Sequence, residues 1–199
     1  MWPVAVTTTP RRTRAAALPP DERRAAIVEA AMPLVLAHGV NVTTRQIAEA
    51  ADIAEGTIFR VFADKDELID TVIDAALDST PDVAALRAVP LALPLEERLA
   101  AAVEVLQRRV TRVWQAMTAA GVTRAKERRP PEVGSDPPEV VALTALLEPD
   151  ADRFRHPVAH VARRTRAVTF ATTLPTLALD HPATAREVVE LLLDGVRAR

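Results

Sequence analysis

His156 and His160 stand four residues apart, the spacing that puts two imidazoles on one helix face, with Asp150 and Asp152 near them in sequence. A metal site of this kind ordinarily carries the glutamate of a His-Glu-x-x-His run, which is missing, and Pro157 falls between the two histidines. The serines are Ser79 and Ser135, both in stretches that read as connector or loop, so a Ser-His-Asp triad is not expected. The absence of cysteine removes a thiol nucleophile, a Cys-based zinc site and a disulfide framework together. Five glycines scattered over 199 residues make no phosphate-cradling loop. Neither catalysis nor a metal nor a cofactor is expected. The chemistry left is binding, and it needs elements that present polar groups on a defined face.

Apolar residues make up 49% of the chain and charged ones 26%, enough for a core and too apolar for a disordered polymer. No apolar run approaches the roughly 18 to 20 residues of a membrane span. Met1-Trp2-Pro3 lacks the basic start and apolar stretch of a signal peptide, so export is not expected and the cytoplasm is the expected compartment. The net charge is −2. Residues 1–78 hold eight Lys and Arg against twelve Asp and Glu, and residues 79–199 hold seventeen against fifteen. Any nucleic-acid binding must therefore come from a local arrangement, because the global field does not attract phosphates.

Alanine occurs 38 times and strand-like alternation is almost absent, so the chain reads as all-α. Residues 1–20, with four prolines and Arg11, Arg12 and Arg14, read as a disordered basic arm with access to a minor groove. A helix is expected from Asp21 to His38, kinked or delayed by Pro33 and stopped by Gly39. Thr43 with Gln46 forms a capping box, with Val42 stapled to Ile47, and opens a short helix running to about Ala51. A turn at Asp52 and Ile53 leads into a second short helix, Glu55 to Phe62. Asp64 with Glu67 opens a third, apolar at Leu68, Ile69, Val72, Ile73 and Ala76. After a Pro-punctuated connector with at most one helix near Asp82–Ala88, apolar residues from Leu95 to Met117 step by three or four for about seven turns, ending at Gly121. A mobile loop is expected over 121–138. Helical patterns resume at Pro138–Leu147, Pro157–Thr173 and Thr184–Arg197, the last with the capping box Thr184 to Glu187.

Two short helices joined by a tight turn and braced by longer ones is the helix-turn-helix plan, in which the second helix enters the major groove. The run from Thr44-Arg45-Gln46-Ile47-Ala48-Glu49-Ala50-Ala51 through Asp52-Ile53-Ala54-Glu55-Gly56-Thr57-Ile58-Phe59-Arg60 to Val61-Phe62-Ala63-Asp64-Lys65-Asp66-Glu67-Leu68 resembles the N-terminal signature of TetR-family transcriptional regulators. The likeness is nearly continuous from Ile27 to about Ile73. It implies an all-helical homodimer in which a three-helix N-terminal head (21–78) binds operator DNA. A helical C-terminal domain (79–199) would dimerise and hold a small-molecule inducer. Carried over position by position, it implies that Thr44, Arg45 and Lys65 touch phosphates, that Glu55, Gly56, Thr57 and Arg60 lie on the recognition helix, and that Thr57 and Arg60 are its best donors. Phe59 stands where the family commonly has a tyrosine, keeping the packing and losing a hydroxyl. Asp52 replaces a common turn glycine, which Asp tolerates better than most residues. Ala54 replaces a capping serine, a loss of about 1 kcal/mol. Val61 stands where an aromatic residue or histidine is common.

In the C-terminal half, Val158, Val161, Ala162, Thr165, Val168, Thr169 and Thr172 form a small-residue face, and Val188, Val189, Leu192 and Val196 a second apolar one. Paired with their copies they would build an intersubunit four-helix bundle; the other reading is that they close a monomer core. Leu106, Val110, Trp114 and Met117, faced by Phe170 and Leu174, are the candidate lining of a ligand pocket, with no charged residue clearly part of it. The expected partners are double-stranded operator DNA, a second copy of the chain through helices 157–173 and 184–197, and a small-molecule inducer. Two other classes stay open: a helical sensor or scaffold that has lost DNA binding, suggested by the acidic head and uncapped recognition helix, and a small enzyme using the His156/His160 region.

Overall fold

The computed structural model describes residues 19–127, 135–177 and 181–196. Of the arm expected over 1–20, residues 1–18 lie outside these, and Pro20 already belongs to the first helix. Helix α1 (Pro20–His38) starts with proline at its first position and Asp21 and Glu22 in its first turn, where acids complement the helix dipole. It continues through Pro33, which lies on its exposed side, to His38. Gly39 ends it at φ 57°, and a Cβ there would press to 3.3 Å on the Ala119 carbonyl oxygen. Glycine is required at that corner for both reasons.

Helix α2 (Thr44–Ala50) carries the expected capping box. The Gln46 N–H donates to Thr43 Oγ1 at 3.2 Å and the Thr43 N–H donates to Gln46 Oε1 at 2.9 Å, while Val42 and Ile47 are both fully buried. The turn that follows is a Schellman motif. Asp52 adopts φ 50°, its N–H donates to Glu49 O, and the Ile53 N–H donates to Ala48 O.

Helix α3 (Glu55–Ile58) is shorter than the expected Glu55–Phe62. Beyond Ile58 the chain tightens: the Val61 and Phe62 N–H groups both donate to Ile58 O, so Phe59 and Arg60 sit in a turn. Ile58 and Phe62, four residues apart, are both buried, and the turn between them leaves Phe59 and Arg60 exposed. Helix α4 (Lys65–Leu77) begins as expected, the Glu67 N–H donating to Asp64 Oδ1 at 2.8 Å. The Glu67 carboxylate returns one residue early, accepting from the Ala63 N–H at 2.6 Å. That bond, and then the Arg24 guanidinium, hold the Glu67 carboxyl below its ordinary pKa.

Helix α5 (Thr80–Arg87) starts two residues before the expected Asp82, because the Asp78 carboxylate takes the N–H and hydroxyl of Thr80. Helix α6 (Leu95–Glu127) is the long one, interrupted at Gly121, where φ is 71° and ψ 170°. Helical geometry resumes after that break as far as Glu127, in place of the first part of the loop expected from 121, and residues 128–134 of that expected loop lie outside the described residues. Helices α7 (Pro138–Leu147), α8 (Val158–Thr173) and α9 (Ala185–Val196) follow within one residue of their expected starts, α9 behind the Thr184–Glu187 box. No helix among the described residues is long and apolar enough to cross a membrane.

Two apolar clusters form. One joins α1 to α4 with Ala116 and Ala120 of α6, and the other joins α5, the first part of α6, α7, α8 and α9. Thus α6 belongs to both. The faces expected to pair with a second copy are inside the protomer: Val158, Val161, Ala162, Thr165 and Thr169 are buried, Val168 and Thr172 are half-buried, and Val188, Val189 and Leu192 are buried. The side chain of Val196 lies outside the described residues. Threonine tolerates this core because the Thr165 and Thr169 hydroxyls donate back to Val161 O and Thr165 O, at 2.9 and 2.8 Å. The outer side of α8 and α9 instead presents Arg163, Arg164, Ala167, Phe170 and Leu191.

Candidate nucleic-acid interface and the cavity beside the long helix

The first turns of α2 and α3 are joined directly, and the start of α4 is tied to the residues that lead into α2. The Thr44 hydroxyl donates to Glu55 Oε1, tying the first residue of α2 to the first of α3. The Lys65 ammonium donates to Val40 O at 2.7 Å, tying the start of α4 to the approach to α2. Arg45 is exposed and paired with Glu49 one turn on, at 3.0 Å with both side chains largely in solvent. A pair of that kind contributes little and exchanges readily for a better anion. Glu55, Gly56, Phe59 and Arg60 are exposed, and Thr57 is half-buried. The tertiary structure therefore joins Thr44 to Glu55 directly and ties Lys65 to Val40, just before α2, with Gly56, Thr57, Phe59 and Arg60 on the segment that follows Glu55. Ala54 leaves α3 without a side-chain cap, as its sequence requires.

What holds the turn after α3 was not apparent in the sequence. Arg24 of α1 lies over the Phe62 ring, 4.2 Å from guanidinium carbon to centroid. Its nitrogens donate to Val61 O at 3.0 Å, Glu67 Oε1 at 2.9 Å and Thr71 Oγ1 at 3.1 Å. One side chain thus fixes the turn after α3 against both α1 and α4.

The second feature is a cavity of about 370 Å³ beside α6. The six apolar residues singled out from the sequence, Leu106, Val110, Trp114, Met117, Phe170 and Leu174, all line it. No charged residue is clearly assignable to it from the sequence, yet Arg109, Glu139 and Arg166 are part of its wall. Glu139 is 5% exposed and lies 3.2 Å from Arg166 Nε and 3.7 Å from Arg109 Nε. Each of the three comes from a different helix, so only tertiary packing brings them together.

Arg109 also reaches out of the cavity. Its Nη1 donates to Asp82 Oδ2 at 3.1 Å and to the Leu77 and Asp78 carbonyl oxygens at the end of α4, at 3.4 and 3.3 Å. One turn on, Arg112 donates to the same Asp82 oxygen at 2.5 Å and to Ala76 O at 3.0 Å. The last carbonyls of α4 are therefore held by two guanidinium groups of α6, one of which lines the cavity. The signal for this in the sequence is a pair of arginines three apart beside the apolar stripe, without their buried acidic partners.

The histidine region has no comparable organisation. His156 precedes the first residue of α8 while His160 lies within it, and Asp150 is taken by Arg98 and Arg153. Among the described residues no group of three or more His, Cys, Asp or Glu is placed to hold a metal.

Residues 27–72 match the family model of the bacterial regulatory proteins, tetR family. Solved structures of similar fold include a TetR transcriptional regulator from Streptomyces coelicolor, 22% identical with TM-score 0.57, the match covering 87% of this chain and 98% of that one. Another is described as the molecular basis for control of antibiotic production by bacterial hormones, 23% identical with TM-score 0.56, covering 89% and 98%. A further tetR-family transcriptional regulator from Streptomyces coelicolor is 22% identical with TM-score 0.54, covering 87% and 78%. Those likenesses establish the fold, and the match over α1 to α4 places the helix-turn-helix. Residues 27–72 thus form a helix-turn-helix segment that matches the tetR family of bacterial regulatory proteins, carried on an all-α fold that those structures share along most of this chain's length.

Proposed function

We propose that the protein is a repressor that binds a palindromic operator as a homodimer and is released by a small molecule held in the cavity beside α6. The head, residues 21–78, reads DNA, and residues 79–199 dimerise and sense. The observation that supports the reading is that Thr44 of α2 is bonded to Glu55 of α3 across the turn, while Arg45, Gly56, Phe59 and Arg60 are exposed; with Thr57 and Lys65 these are the eight proposed contacts. Two such heads would read half-sites about one DNA turn apart, roughly 34–36 Å. Pairing through α8 and α9 then uses their outer sides, since the inner ones are already spent on the protomer core. The switch is a tilt of α4, whose last carbonyls are held by Arg109 and Arg112. A ligand works it only by preferring one tilt to the other. Selection of bound sequences from a random DNA pool tests the proposal. An enriched palindrome is the expected result, and flat, salt-independent binding would leave a sensor without an operator.

Two substitutions test the proposed contacts. Lys65→Ala is expected to weaken binding to all sequences and to lower the salt-dependence slope by about one; an unchanged slope removes Lys65 from the interface. Gly56 is a sharper probe, because a Cβ there meets no atom within 4 Å and its φ is ordinary. Nothing in the protein's own fold demands glycine, and alanine favours helix by up to about 1 kcal/mol. Gly56→Ala is therefore expected to leave the urea midpoint equal or raised while weakening operator binding, because a methyl group blocks close approach of DNA. Operator affinity equal to that of the unmodified protein would place Gly56 off the contact surface.

A further inference from the structure

We infer that the cavity beside α6 takes an apolar molecule bearing one anionic group, a carboxylate of the fatty-acid type, with Arg166 as the group that binds the charge. This rests on the ligand-responsive reading above and names the chemistry of the ligand. At about 370 Å³ the cavity lies toward the small end of the roughly 300–1,000 Å³ typical of small-molecule sites. Most of its wall is aliphatic or aromatic, which suits a hydrocarbon body.

The wall's polar part has an excess of positive charge. Two guanidinium groups, Arg109 and Arg166, face one carboxylate, Glu139. Glu139 is buried and lies within 4 Å of both, so its charge is already compensated and it has little to offer a cationic ligand. Arg109 is engaged with Asp82 and the end of α4, and Asp78 and Arg112 face it from outside the cavity. Arg166 is different. Its hydrogen bond to Glu139 uses Nε, and among the described residues its Nη1 and Nη2 carry no hydrogen bond. Its side chain is 46% exposed, beside Phe170 on the same helix. A planar guanidinium with an unpaired edge at the rim of an apolar chamber is matched by a carboxylate, which accepts two parallel N–H bonds. The surrounding apolar wall strengthens that attraction by lowering the local dielectric.

The test uses three probes of one length and different charge: decanoate, decanol and decylamine. The chain has two tryptophans, Trp2 and Trp114, so the Trp2→Phe variant makes Trp114, in the cavity wall, the sole indole reporter. Decanoate is expected to bind about 10-fold more tightly than decanol, and decylamine more weakly than either. Arg166→Gln is expected to bring decanoate to within about 2-fold of decanol while leaving decanol unchanged. Equal binding of acid and alcohol to the unsubstituted cavity would overturn the anion assignment and leave the cavity a ligand site. Tightest binding by the amine would overturn it as well. No change of Trp114 emission with any of the three would remove both the assignment and the ligand site beneath it.

Discussion

Asp82→Ala is expected to cost the protein about 3–5 kcal/mol of unfolding free energy, measured by urea denaturation. The carboxylate is 7% exposed and receives both Arg109, at 3.1 Å, and Arg112, at 2.5 Å. Removing it takes the closest carboxylate from two guanidinium groups that are 18% and 24% exposed, leaving Arg112 with the Ala76 carbonyl and Arg109 with Glu139 at 3.7 Å, and an under-compensated, partly buried charge is among the more destabilising defects available to a core. Asp82 also sits in the first turn of α5, where its charge complements the helix dipole. Asp82→Asn is expected to retain most of the loss, because an amide replaces the shape without neutralising either arginine. Adding Arg112→Met to Asp82→Ala is expected to recover part of it, since an apolar side chain of similar length removes a stranded charge. A loss below about 1 kcal/mol for Asp82→Ala would show that both arginines find water or other carbonyls, and that the α4–α5–α6 junction does not depend on this acid.

Phe62→Ala is expected to cost about 3–5 kcal/mol, most of the stability of a small helical head. Phe62 is 1% exposed and follows the turn after α3. The cavity left by its ring would border Ile58 and the first turns of α4, and Arg24 would lose the ring it covers, worth about 0.5–1 kcal/mol more at a part-exposed site. The consequence for function is indirect: DNA affinity falls because fewer heads are folded, and it recovers on cooling or in a stabilising osmolyte. Phe62→Leu, which restores most of the volume, is expected to lose no more than about 1.5 kcal/mol and to retain operator binding. If Phe62→Ala loses as little as Phe62→Leu, the head collapses around the site and the ring is not its plug.

Much of the architecture is legible in local sequence because the signals that set helix ends act over three or four residues. Thr43 with Gln46 and Thr184 with Glu187 are complete capping boxes in the structure, and Asp52 takes the left-handed conformation that its side chain tolerates. The helical pattern likewise singles out six of the seven apolar residues that line the cavity, all but Val113, because an apolar stripe must face something. Periodicity does not say what it faces. The small-residue side of α8 looks the same whether a second copy or α6 covers it, and the protomer's own core is what covers it.

By itself, then, the sequence determined the all-α class, the order and most boundaries of the helices, the helix-turn-helix segment and the apolar wall beside α6. Tertiary structure decided the length of α3, which stops at Ile58 with Phe59 and Arg60 in a turn. It also decided the long-range charge pairs at the two sites: Arg24 on Phe62 and Glu67, Asp82 between Arg109 and Arg112, and Glu139 between Arg109 and Arg166. An arginine reads as solvated surface until its partner's position is known, and these partners lie 27 or more residues away. Hydrophobic pattern is a property of one helix, whereas a buried ion pair is a property of two elements and the packing that removes water from between them.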